Sequence, residues 1–462
     1  MAALGWDRLP QKFAASLLKS LAFMAVVGLV PGCSAEQSDQ SGIAPAERLV
    51  LVTIDTLRYD RFGGPQSVMP RLAEAAKAGL SFEKCFAVTP VTQPTHATLL
   101  TGLQPWEHGV TRNGQVLSSA FETLAERLST EGFATGAVVA SFPLEHRFGF
   151  ARGFDTFVDE FTEARPKKTV RWDGIKPDWK HFYSLADEVG AQALQLIEQL
   201  PPGRQFLWVH FYDPHSPYGD SRRDGKPTLT TKQLGYAAQD EDLEKLGKAL
   251  EIGESLYDSD VSAVDRALGK ILDRLASDGI KTHVVVTADH GESFGADGSF
   301  GHGDRVTVDQ LHVPLVVISP DVEAGVRSEV CGTLDIHRTL LSLVGLSEAE
   351  RGAGRGRARD LLQPAQGTSS ALGMRRTYLQ DTEEVRADGS TVSLSGTRFY
   401  WAQGDSLFAG NSAEIDGPDN EALAQDLRRA FGVFEAQLES GMAADLTDDD
   451  TRAALKELGY VR

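Results

Sequence analysis

The chain is short of three things, and each shortage narrows what it can be. Only 3 of its 462 residues are cysteine, too few to build a disulfide scaffold. Basic side chains number 46 against 65 acidic ones, leaving a formal net charge of -19. That balance excludes a general nucleic-acid binder, which needs a basic footprint. It equally excludes a basic membrane-surface patch. Beyond residue 33 no apolar run approaches the roughly 20 residues of a membrane-spanning helix, so a multi-span membrane enzyme is also excluded. What remains is ordinary for a packed protein: 41% hydrophobic and 24% charged residues. The length fits one large α/β domain with a smaller companion.

Residues 1–33 have the character of an export signal. Arg8, Lys12 and Lys19 make a positive start, and an apolar run follows from Leu21 to Val30. Cys33 comes directly after it in Leu29-Val30-Pro31-Gly32-Cys33, a stretch that looks like the lipobox of bacterial lipoproteins. The expectation is a lipid anchor on Cys33, an exported protein of the bacterial envelope, and a polar tether over residues 34–46. The segment carries three positive charges and one negative (Asp7), a net +2, so its removal takes -19 to -21. Cys85 and Cys331 would then be the cysteines left to pair, and their apolar surroundings favour two buried free thiols.

From Arg48 onward, strand, loop and helix alternate. Leu49–Ile54 ends in Asp55, Phe206–Tyr212 in Asp213 and His283–Ala288 in Asp289, and Leu315–Ile318 is a fourth apolar run. Unalternating β-branched runs suit strands buried on both faces of a mostly parallel sheet. Helices are expected near Met69–Gly79, Phe121–Thr130, Leu185–Leu200 and Ser262–Leu275, with a charged surface excursion over 219–255. The catalytic α/β domain is placed at 47–365. A small α+β subdomain follows at 376–462, with strands at Thr391–Leu394 and Arg398–Trp401 and a helix near Asn420–Leu438.

In such sheets ligands bind beyond the carboxyl ends of the strands. Three strands each deliver an Asp there, which points to a shared cationic site. Thr92 precedes Pro94 at a helix start, where backbone N–H groups favour an anion. Alone, its hydroxyl reads as a cap; beside a metal it could act as a nucleophile. Asp289-His290-Gly291-Glu292 places carboxylate and imidazole side by side. His302 sits in Gly301-His302-Gly303. Two metal clusters follow: Asp55, Thr92, Asp289 and His290 around one ion, and Asp213, His215 and His302 around the other. His215 and Asp213 could instead contact substrate oxygen or cap a strand. His96 could touch substrate or pack within the core. Two divalent ions are expected, zinc by donor chemistry, with calcium or manganese as alternatives. His108, His210, His312 and His337 read as structural.

These pieces together resemble the sulfatase branch of the alkaline phosphatase superfamily. The matching stretches are Ile54–Asp60, Thr92–Gly102, Pro105–Gly114, Asp213–Tyr218, Asp289–Glu292 and Val313-Pro314-Leu315, with Asp335-Ile336 and Leu458-Gly459-Tyr460 further on. Order and spacing agree from about residue 48 to 345. The resemblance implies an alkaline-phosphatase-like α/β sandwich: a large, mostly parallel sheet flanked by helices, and a smaller carboxyl-terminal part. Sulfatases proper carry C/S-x-P-x-R, whose first residue becomes formylglycine. Here Thr92 and His96 hold those slots, and the extra methyl of threonine blocks oxidation to an aldehyde. The T-x-P-x-H form resembles nucleotide pyrophosphatases and related phosphodiesterases, in which Thr attacks phosphorus directly. The same likeness assigns Asn113 to a non-bridging oxygen of the substrate, and the Gln93 backbone N–H is expected as the second donor.

The expected function is therefore a metal-dependent hydrolase of phosphate or sulfate esters on a small anionic substrate. Phosphodiesters or phosphonate monoesters are favoured, with Thr92, Asn113 and His96 in the reaction. The alternatives are an arylsulfatase-like enzyme, a phospho-group transferase to an envelope glycan or lipid, and a non-catalytic surface lipoprotein.

Overall fold

The computed structural model describes residues 46–164, 180–220, 228–239, 242–295, 299–303, 306–346 and 358–364, together with the backbone of strands between 370 and 410. The expected anchor at Cys33, its tether up to residue 45 and the helix near Asn420–Leu438 lie outside the described residues.

Eleven strands belong to the first part of the chain. They are β1 (Glu47–Ile54), β2 (Leu80–Phe86), β3 (Ala134–Val138), β4 (Thr156–Val158), β5 (Arg204–Phe211), β6 (Lys281–Ala288), β7 (Ser293–Phe294), β8 (Phe300–Gly301), β9 (His312–Ile318), β10 (Gly325–Arg327) and β11 (Cys331–Gly332). Among the described residues nine of them form one sheet in the order β10-β2-β9-β6-β1-β5-β3-β4, with β11 also on β2. β7 and β8 make a separate hairpin. The pairs β1–β5, β1–β6, β3–β5 and β3–β4 are parallel. β9, the fourth apolar run, departs from that pattern: it is antiparallel to both β6 and β2. A continuous apolar run signals burial on both faces but carries no information about strand direction.

The helices are α1 (Pro70–Ala76), α2 (Thr92–Thr101), α3 (Pro105–His108), α4 (Leu124–Thr130), α5 (Ala186–Gln199), α6 (Thr231–Gln239), α7 (Leu243–Ser277), α8 (Val308–Leu311) and α9 (Thr333–Leu343). Covering helices leave β1 no solvent face, and Leu49 to Val52 and Ile54 are fully buried. α7 corrects the expected excursion over 219–255, because its 35 residues begin inside it. Its first third exposes Leu243 and Ile252, and continuous burial starts only at Gly253, Leu256 and Tyr257. An end that packs against little shows little apolar periodicity. Asp242 caps this helix, accepting from the backbone N–H groups of Glu244 and Lys245.

The region after residue 370 contributes β12 (Ser370–Arg376), β13 (Thr382–Val385), β14 (Thr391–Leu394), β15 (Thr397–Gln403) and β16 (Ser406–Gly410). β12, β15 and β16 pair antiparallel, and β13 pairs with β14. The two strands expected near 391–394 and 398–401 are both present.

Candidate metal and catalytic site

The three central strands β6, β1 and β5 end side by side, and their register decides which acids meet. Ile54 is level with Ala288 on one side and Phe211 on the other. One step further, Asp55 is level with Asp289 and with Tyr212, so Asp213 lies one residue beyond. Side chains alternate along a strand, so the two level acids share a face and the third does not. Accordingly Asp55, Asp289 and His290 bring ligand atoms within 4.8 Å of one another, all three buried. Asp213 turns away, and its Oδ2 accepts from the Ala186 N–H at the amino end of α5, 2.6 Å off.

The cluster is built to face a cation. His290 donates from Nδ1 to its neighbour's carbonyl, Gly291 O, at 2.9 Å, which leaves Nε2 as the lone-pair atom. That Nε2 stands 3.7 Å from Asp55 Oδ1 and 3.6 Å from Asp289 Oδ2. Both His290 Nε2 and Asp289 Oδ2 are buried without a hydrogen bond among the described residues. Burial pulls the His290 imidazole down to about 4, so it is neutral at pH 7 and a competent ligand. Two buried carboxylates beside a neutral imidazole carry a desolvation cost that a divalent ion removes, and the oxygen-nitrogen donor set suits one. The residues present fit such an ion.

The turn after Asp55 is held in an unusual shape. Thr56 has φ of 58°, a left-handed conformation for a β-branched residue. Asp289 Oδ1 accepts its N–H at 3.2 Å, and Tyr257 donates its hydroxyl to the Thr56 carbonyl at 2.8 Å. Such strain persists where the surroundings over-determine it.

Thr92 opens α2 and is buried. Gln93 fastens that helix start to the loop carrying Asn113. Its backbone N–H donates to Asn113 Oδ1 at 2.8 Å, and its side-chain Oε1 accepts from Gly114 N at 2.5 Å and Gln115 N at 3.2 Å. This corrects the role expected of the Gln93 N–H, which is committed to Asn113 rather than to substrate. Asn113, its Oδ1 spent, can offer a substrate oxygen only Nδ2 donors.

His96 lies beneath the site with both nitrogens engaged. Nδ1 donates to Thr92 O at 2.9 Å, and Nε2 meets Thr53 Oγ1 at 3.0 Å. Trp208 Nε1 donates to the same hydroxyl. The chain therefore runs from Trp208 through Thr53 to a neutral His96, whose pKa burial lowers. This placement makes His96 a positioning residue. His210, fully buried, accepts the Ala140 N–H on Nδ1 and directs Nε2 toward Asp55 Oδ2 at 3.9 Å.

The expected second cluster does not assemble as a cluster of three. His215 and His302 do meet, with ring centroids 5.0 Å apart, and His302 also lies 4.3 Å from the His290 ring. Asp213 does not join them within 4.8 Å, because its register sends it to α5. Instead Glu292, buried and not anticipated, holds His302 Nδ1 at 3.0 Å. Its place in Asp289–Glu292 was the available signal. Gly301 and Gly303 have φ of 89° and 83°, and a Cβ on Gly301 would fall 2.6 Å from Thr231 Cγ2. They let the His302 loop turn tightly.

A family model described as sulfatase matches residues 47–346, about two-thirds of the chain. The ulvan-active sulfatase of Formosa agariphila is 27% identical over 301 residues, covering 62% of this chain and 58% of that protein. Human N-acetylgalactosamine-6-sulfatase is 25% identical over 357 residues, covering 66% and 64%. The chain thus spans about three-fifths of the length of these curated relatives. Among solved structures, a phosphonate monoester hydrolase from Silicibacter pomeroyi aligns with a TM-score of 0.57 at 19% identity, over 86% of this chain and 95% of that one. A putative sulfatase from Bacteroides thetaiotaomicron aligns at 0.61 and 15%, over 87% and 95%. At those identities the structural likeness shows the fold.

Proposed function

Given that the chain belongs to the sulfatase family, we propose that it is a metal-dependent hydrolase of phosphate or sulfate esters with Thr92 as nucleophile, acting best on phosphodiesters or phosphonate monoesters. The observation that carries this reading is the buried set Asp55, Asp289 and His290 beside the helix that Thr92 opens, whose His96 Nδ1 lies 3.8 Å from Asp289 Oδ2. Asp55, Asp289 and His290 would hold the ion. When bound, it supplies Lewis acidity and eases loss of the Thr92 proton.

The chain's own residues do the rest. Thr92 Oγ1 attacks phosphorus or sulfur, and the amino end of α2 favours the anionic substrate there. Asn113 Nδ2 donates to an oxygen that gains charge. His302, oriented by Glu292, stands beside His290 with His215 against it, and either imidazole would give the leaving oxygen its proton. Water then hydrolyses the Thr92 ester and frees the hydroxyl. Threonine at this position supports phosphorus over sulfur, since it cannot become formylglycine. The sulfate reading is favoured by the names of the curated relatives, sulfatases in both cases given above.

Residues 1–33 support export and lipid anchoring at Cys33 to the bacterial envelope. The test is bound metal per chain together with turnover of p-nitrophenyl phosphodiester, phosphonate monoester, phosphate monoester and sulfate, for wild type and Thr92→Ala. Metal-dependent diester or phosphonate turnover that disappears in the variant supports the reading. Equal activity in both removes Thr92 from the mechanism, and sulfate as the best substrate overturns the preference for phosphorus.

A further inference from the structure

Cys85 on β2 and Cys331 on β11 are directly opposed in the parallel register. Both are free thiols with no solvent exposure. Each is thus the other's direct neighbour across the β2–β11 ladder. We propose that in the exported protein these two cysteines are joined by a disulfide, which fastens the strand leading to the nucleophile onto the strand leading to α9.

Neighbouring strands lie about 4.8 Å apart, inside the Cα separation of about 4.4–6.8 Å that disulfides span. Opposed residues present their side chains on one face of the sheet, so both sulfurs lie on the same side of it. β11 is only two residues long, so few ladder bonds hold it to β2. The neighbourhood links straight to the site. From β2 the chain runs through Val88, whose N–H donates to Thr333 Oγ1 at 3.0 Å, and on to Thr92. From β11 it enters α9, whose His337 Nδ1 donates to Leu99 O of α2 at 3.1 Å.

The chemistry balances with an envelope protein disulfide as the oxidant. One cysteine thiolate attacks that disulfide and forms a mixed disulfide; the second displaces it. The chain gains one S–S bond and loses two protons and two electrons, and the oxidant leaves as a dithiol. Burial pushes the Cys331 thiol up, so the exchange belongs to folding, before the core closes. A lipid anchor joined to the Cys33 sulfur as a thioether would remove the third thiol as a competitor.

The proposal rests on the export reading of residues 1–33, and the experiment separates the two. The full chain is expressed in a bacterium and fractionated, its thiols are alkylated in denaturant without reductant, and the digest is read by mass spectrometry. The expected result is an envelope protein whose Cys85 and Cys331 peptides are linked and alkylate only after reduction. Reduction should lower the melting temperature by about 5 °C in wild type and not in the Cys85→Ser/Cys331→Ser variant. Envelope protein with both residues alkylated directly overturns the disulfide. Chain confined to the cytoplasm overturns export, and the purified full chain is then refolded with oxidised glutathione. A linked pair upholds the geometry; two unlinked cysteines overturn it. The alkylation needs no variant to fold.

Discussion

Thr92 and Asp289 converge on a single atom. His96 Nδ1 lies 2.9 Å from the Thr92 carbonyl and 3.8 Å from Asp289 Oδ2. One neutral imidazole thus sets the helix carrying the proposed nucleophile against a proposed metal ligand. Replacing it should disturb both at once. His96→Asn keeps a donor near the Nδ1 position and should retain activity within about tenfold. His96→Ala leaves Thr53 Oγ1 and the Thr92 carbonyl short of a partner and opens a cavity, at about 2–4 kcal/mol in stability. Denaturant unfolding with steady-state kinetics on both variants checks this.

Thr92→Ala should lower kcat at least about 1000-fold while the chain still binds metal through Asp55, Asp289 and His290. Thr92→Ser should keep most of the activity. Trapping a phosphorylated Thr92 peptide after an acid quench would place the covalent bond.

Asp55→Asn and His290→Ala should each weaken metal binding at least about 100-fold, more than typical losses at residues behind a ligand. Chelation of wild type should abolish turnover and lower the melting temperature, and both should return with added ion. Titration calorimetry on the stripped chain measures the affinity directly. Unchanged affinity in both variants would exclude this cluster as the metal site.

His108 provides a pH test away from the metal. It accepts the Val110 N–H on Nδ1, and burial pulls it down to about 3. The unfolded chain, with an ordinary histidine near 6.5, therefore binds this proton first as pH falls. Its contribution is complete above about pH 6.5 and drains away between 6.5 and 3, with a ceiling on the order of 5 kcal/mol. His108→Gln should flatten the stability curve of the metal-free chain across that window. An unchanged slope would refute it.

Asp265 accepts the N–H groups of Arg71 and Leu72 at the start of α1, both at 2.9 Å. Asp265→Ala should cost about 1–2 kcal/mol in thermal unfolding with activity unaltered.

The central strands were legible because burial on both faces leaves unbroken β-branched runs, and their terminal acids followed directly. Which acids meet was not legible, since it depends on register: one residue of offset sends Asp213 to α5 while Asp55 and Asp289 converge. The direction of β9 and the outer third of α7 were hidden for related reasons, because packing partners decide them and no local pattern records it. His302 stood out by its flanking glycines, whereas its link to Glu292 needed the β7–β8 hairpin to fold. Gln93 gave no sign of its part, since an interior glutamine declares itself only through the backbone groups it reaches.

Those three bonds from Gln93 make the helix start and the Asn113 loop one mechanical piece. The spacing between Thr92 and the Asn113 amide, the proposed nucleophile and the proposed donor, is then set at folding. His215 and His302 ride on turns rather than on a helix, so in the proposed reaction adjustment to a longer bond, a bulkier alcohol or a different central atom would fall to them. Exchanging residues on those turns would be the direct route to retuning what the proposed enzyme accepts.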